Sequence, residues 1–198
     1  MAAVHLEIHH LPPAAAREEL LSAAERAQLS SMGLGPRRRS EWISGRLAAR
    51  RALCSRFGEA AATSLSLLVE PDGAPRLEGK EDYAVSLSHD GDYFAVAIAE
   101  RAGMRVGVDV CLRKHEARLR RILPRLRLRG AGLDVFAQWA ALECFLKVRR
   151  LGVAALLDTA LTVEADARGA KVSADGCALL LTFLSHPDFV AAWGGELA

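Results

Sequence analysis

The sequence predicts an α+β protein made of two related halves, residues 1–102 and 103–198, each a helix packed on a small, mostly antiparallel sheet. Two observations predict it. One is element order: a helical period over residues 40–57 is followed by short alternating apolar runs separated by turn residues, and the same order returns after about residue 130. The other is a repeat at a fixed offset. Trp42 and Trp139 lie 97 residues apart (139 − 42), and the "LSH" at 87–89 recurs at 184–186 with the same shift. At 198 residues, 51% hydrophobic and 25% charged, the chain has enough apolar material for one large core or two small ones.

In chain order, "SEWISGRLAARRALCSRF" (40–57) is a helix that stops before Gly58, and "TSLSLLVE" (63–70) is a strand followed by the turn "PDGAP". "YAVSLSH" and "DYFAVAIA" form a hairpin around the Asp90-Gly91 turn signal. The halves join near Gly103. "MRVGVDVC" (104–111) is a strand that sends Val106, Val108 and Val110 to a core face; Gly107, Asp109 and Cys111 lie on the other, where a lone carboxylate implies something held. Residues 134–150 form the second helix. "TALTVE" is a strand, and "ALLLTFLSHPDFVAAW" is a strand pair bent near Pro187.

Three features of this scaffold carry chemistry. Arg46 and Arg50 fall inside the apolar sector of the first helix and need an anion there, either a protein carboxylate or a phosphate. Trp139, Glu143 and Lys147 share one ridge of the second helix, the ordinary spacing of an exposed ion pair worth roughly 0.3–0.5 kcal/mol. Residues 113–129 hold eight Arg or Lys against the single acid Glu116, in a chain whose net charge is only +2. Such a segment is a solvated face or a docking surface for an acidic protein or a nucleic acid. Stacking aromatics do not interleave it, which disfavours nucleic acid. The four cysteines are widely spaced and form no CxxC pair, which argues against a zinc site or a disulfide framework. No apolar run approaches the roughly 20 residues that span a bilayer, and no basic leader opens the chain, so the expectation is a cytoplasmic protein, without membrane or nucleic-acid partners and monomeric.

Taken in order, "RRRSEWISGRLAARRAL", "SLSHDGDYFAVAIA", "VGVDV" and "WAALECFLK" resemble the Sfp-type 4′-phosphopantetheinyl transferases, from about residue 20 to the end. The resemblance implies a pair of similar α+β halves with coenzyme A and magnesium between them. It implies transfer of 4′-phosphopantetheine from coenzyme A to a serine of an apo acyl or peptidyl carrier protein. Residue by residue, it implies that Asp109 and Glu143 bind Mg²⁺, with Glu143 as the base. Arg38 and Arg46 would hold nucleotide phosphates with Arg50 assisting, Ser88 and His89 would lie beside coenzyme A, and Lys147 would face its phosphates. The carrier would dock on the basic 113–129 segment. Gly107 would keep the Asp109 face clear for metal and pyrophosphate. The sequence departs from the family pattern at Cys111, a poor ligand for a hard cation where the family has a second acid. It departs again at Leu142 and Ala74, where the family has basic residues, although Arg76 lies two positions on.

Overall fold

The computed structural model describes residues 4–12, 17–59, 65–166 and 169–197. Its contacts divide the chain into two compact units, residues 1–102 and 103–198. Both are α+β.

In the first unit a three-stranded antiparallel sheet has the order β1-β5-β4, with β1 (Val4–His10), β4 (Tyr83–Asp90) and β5 (Tyr93–Glu100); β2 (Leu67–Val69) and β3 (Pro75–Leu77) form a separate two-stranded ribbon. The β4–β5 hairpin closes on a two-residue loop in which Gly91 takes φ +56°, the left-handed region such tight turns demand. Helix α1 (Ala23–Ser31) starts in a capping box: Glu25 N–H donates to Ser22 Oγ and Ser22 N–H donates to Glu25 Oε2. Helix α2 (Pro36–Phe57) begins four residues before the sequence pattern does, because Pro36 at its first position presets the helical φ while "PRRR" carries no apolar period. Trp42, Ile43, Leu47 and Leu53 of α2 share one apolar cluster with Val85, Phe94, Val96 and Ile98 of the sheet. The expected strand over 63–70 contracts to Leu67–Val69, and its residues 63 and 64 lie outside the described residues.

In the second unit a six-stranded sheet has the order β6-β11-β10-β9-β8-β7: β6 (Met104–Leu112), β7 (Leu128–Ala131), β8 (Leu161–Asp166), β9 (Gly169–Ala174), β10 (Cys177–Ser185) and β11 (Phe189–Leu197). Only β7–β8 is parallel among these pairs. Helix α3 (Glu116–Ile122) precedes α4 (Val135–Arg149), and α5 (Ala155–Asp158) follows it. The Asp134 side chain caps α4 by accepting Ala137 N–H at 2.7 Å. Leu142, Phe145, Leu146 and Val148 of α4 are buried in one cluster with Val163, Val172, Leu181 and Val190 of the sheet.

The offset of 97 runs through the architecture. Shifted by that amount, α2 overlays α4 and the β4–β5 hairpin overlays β10–β11; β1 pairs antiparallel with β5 as β6 does with β11. Among the described residues no helix is long and apolar enough to cross a membrane.

Candidate functional site

In the first unit, Arg38, Trp42, Gly45 and Arg46 of α2 face Leu87, Ser88, His89 and Phe94 of the hairpin across a cavity of about 340 Å³. Arg46 dominates it. Its guanidinium carbon sits 3.5 Å from the centroid of the Trp42 ring and the residue is 6% exposed, yet Nε and Nη2 have no hydrogen-bond partner among the described residues. Stacking on the indole uses the cation's flat face and leaves its N–H edges available in plane. Burial pushes the Arg46 pKa down to about 10, against the opposing pull of Glu25. His89 packs its ring 5.3 Å from that of Phe94, its cross-strand partner. The fold thus gathers Arg38, Arg46, Ser88 and His89 around one cavity.

Arg50 goes elsewhere. Its Nη2 donates to Glu25 Oε2 at 2.9 Å, and its Nη1 donates to the Leu20 carbonyl. Glu25 is 1% exposed and also accepts the Leu67 N–H at 2.9 Å. The expectation that Arg50 assists Arg46 is corrected: its anion is a protein carboxylate from α1, and it fastens α2 to α1. Helical spacing puts both arginines on one sector, but only the position of α1 decides which one is neutralised.

In the second unit the sheet and α4 bring Asp109, Glu143 and Lys147 together. Asp109 is 6% exposed on β6, and Lys147 Nζ donates to its Oδ1 and to the Val108 carbonyl, both at 2.8 Å. Lys147 therefore pairs with Asp109 rather than forming the surface pair with Glu143 that its spacing suggests. Glu143, one turn earlier, has its pKa raised, chiefly by burial, then by the Asp109 charge, with Lys147 opposing. Among the described residues no cluster of three or more His, Cys, Asp or Glu is disposed to hold a metal.

The reading of Gly107 is also corrected. A Cβ there would lie 2.4 Å from the Cys144 carbonyl oxygen and 2.7 Å from Val148 Cγ2, so the glycine makes room for α4, not for a ligand. The strand face carrying Gly107, Asp109 and Cys111 is the face that α4 packs on. Cys111, 3% exposed, belongs to the apolar cluster that includes Leu119, Leu123 and Phe136. Leu142 is fully buried there as well, and Arg76 is paired with Glu70.

The basic segment folds as one turn (Arg113–His115), then α3, then a second turn (Leu123–Arg125) leading into β7. Leu119 and Leu123 anchor it in the core. Lys114, Arg118, Arg120, Arg121, Arg125, Arg127 and Arg129 are exposed, with Arg120 paired to Glu116. Arg113 donates to the His186 carbonyl and to Ser185.

A family model described as the 4′-phosphopantetheinyl transferase N-terminal domain matches residues 24–99, which contain α2, the hairpin and the Arg46 cavity. No curated protein matches the chain. Over residues 24–99, fewer than half of its residues, the chain is similar to the 4′-phosphopantetheinyl transferase N-terminal domain.

Proposed function

We propose that the protein transfers the 4′-phosphopantetheine group of coenzyme A to a serine of an apo acyl or peptidyl carrier protein. The observation that carries this reading is Arg46, a stacked and buried guanidinium with two unpartnered nitrogens lining a cavity of about 340 Å³. Such a group is complementary to a phosphate, which accepts paired N–H donors. Arg38 adds a second cation, and Ser88 and His89 add polar contacts.

Asp109 and Glu143 fit magnesium. Both are hard oxygen donors, and the burial and mutual repulsion that raise the Glu143 pKa are relieved by a divalent cation. Two carboxylates suffice for an ion that keeps water and substrate phosphate among its ligands. When bound there, magnesium supplies charge neutralisation to the pyrophosphate. Glu143 takes the proton of the carrier serine hydroxyl as the oxygen bonds to phosphorus and 3′,5′-adenosine bisphosphate leaves. Lys147, whose Nζ donates to Asp109 Oδ1 and the Val108 carbonyl, serves as a cation toward the phosphates. The exposed arginines of 113–129 attract a carrier protein that is acidic around its serine.

The test is to incubate the protein with coenzyme A, Mg²⁺ and apo carrier proteins and to read the carrier mass. A gain of one phosphopantetheine that Glu143→Ala abolishes supports the reading. Coenzyme A binding without any transfer would favour a second reading, a binding module, which the burial of Cys111 among apolar side chains motivates.

A further inference from the structure

Gly45 stands one residue before Arg46 in the interior of α2, where glycine costs helix stability relative to alanine because its backbone loses more freedom. Among the described residues nothing requires the sacrifice. The backbone there does not take the positive φ that favours glycine, and a Cβ would meet only Leu87 Cδ1, at 3.9 Å, an ordinary contact. Three glycines inside strands behave differently. At Gly107, Gly194 and Gly195 an added Cβ would come within 3 Å of neighbouring atoms. Gly45 is the buried glycine whose missing side chain opens onto the cavity that Arg46 lines.

We propose that Gly45 is a specificity-determining position: the bare helix backbone there leaves room for the phosphorylated nucleoside end of coenzyme A to lie against α2 while its phosphate engages Arg46. The inference rests on the coenzyme A reading of the cavity and extends it from charge to shape. The nucleoside end is the part committed to because Gly45 and Arg46 line the same cavity, and on the coenzyme A reading the phosphate that Arg46 holds is carried by the nucleoside. A methyl at this position fills space the ligand needs, and overpacking of a close-fitting site is costly.

The experiment compares wild type with Gly45→Ala and Gly45→Ser, measuring thermal unfolding without ligand and calorimetric affinity for coenzyme A and for 3′,5′-adenosine bisphosphate. The expected result is opposite in sign for stability and binding. Gly45→Ala should raise the ligand-free Tm by about 2–4 °C, as a typical helix-interior gain does in a chain of this size. Both variants should bind coenzyme A and the bisphosphate roughly tenfold or more weakly. A fall in the ligand-free Tm of Gly45→Ala would mean the glycine serves the fold and would overturn the proposal. So would unchanged affinity for both ligands in a wild type that binds them, which leaves the coenzyme A reading standing. A loss confined to coenzyme A, sparing the bisphosphate, overturns the placement of the nucleoside end. A wild type that binds neither ligand overturns the coenzyme A reading itself, and this inference with it.

Discussion

A buried guanidinium with unpartnered N–H groups costs the ligand-free protein roughly 1–3 kcal/mol of unmet hydrogen bonding, part of which the stack on Trp42 returns. Arg46→Met keeps most of the volume and removes the unmet donors. It should leave ligand-free stability unchanged or raise it by about 1 kcal/mol, while the Tm increase that coenzyme A gives the wild type disappears; a thermal-shift series checks both. Glu143 supports a second expectation with a defined sign. Its pKa is raised in the folded state, so the folded protein binds the proton more tightly than the unfolded chain does, and this stabilisation is lost as pH rises through the folded value. In metal-free protein, Glu143→Gln should therefore gain stability at about pH 7.5 and lose that gain by about pH 4, below the ordinary glutamate value. Urea unfolding at the two pH values measures it, and the same variant should be inactive in transfer. Cys111 is the third case. Because the thiol sits among apolar residues, Cys111→Glu should lower Tm in the presence of a chelator, with added Mg²⁺ recovering part of the loss. Full stability with chelator present would show that the new carboxylate escapes the core.

Glu25 ties three elements together: it closes the cap of α1, pairs with Arg50 of α2 and accepts the Leu67 N–H of β2. Removing one partner of a buried pair leaves the other charge uncompensated, so Glu25→Ala and Arg50→Ala should each cost about 3–5 kcal/mol. The double variant should cost less than the sum, since the two side chains share one interaction. Coenzyme A affinity of whatever Arg50→Ala protein remains folded should stay within about twofold of wild type, because Arg50 does not line the cavity; a larger loss would return Arg50 to the ligand. The corresponding ridge of α4 carries different residues. At the shift of 97, Arg46 corresponds to Glu143 and Arg50 to Lys147. One ridge presents a cation to a cavity, and the other a carboxylate beside Asp109.

At the scale of the whole chain, a net charge of +2 hides a strongly positive surface on and around α3. Reversing Arg120, Arg121 and Arg125 to Glu should raise the KM for an acidic carrier several-fold with little change in coenzyme A affinity. Salt should mimic part of the loss, since exposed charges are screened beyond about 8 Å at physiological ionic strength. An unaltered KM would make the segment a solvated face. What the sequence by itself determined is whatever depends on neighbours along the chain. Helices α2 and α4, both hairpins and the 97-residue repeat follow from hydrophobic period and turn chemistry, which act over a few residues. Strand β1, with three histidines among its seven residues, shows little apolar contrast, and it exists because β5 offers it a partner some 90 residues away. The residue types of the candidate site were legible too, through the ordered motifs, but their partners were not. Tertiary structure alone decided that Arg50 meets Glu25, that Lys147 meets Asp109, and that Gly107 yields its space to α4. Each of those outcomes is a contact between elements distant in sequence, and which side chain neutralises a buried charge is settled by the packing that brings the elements together.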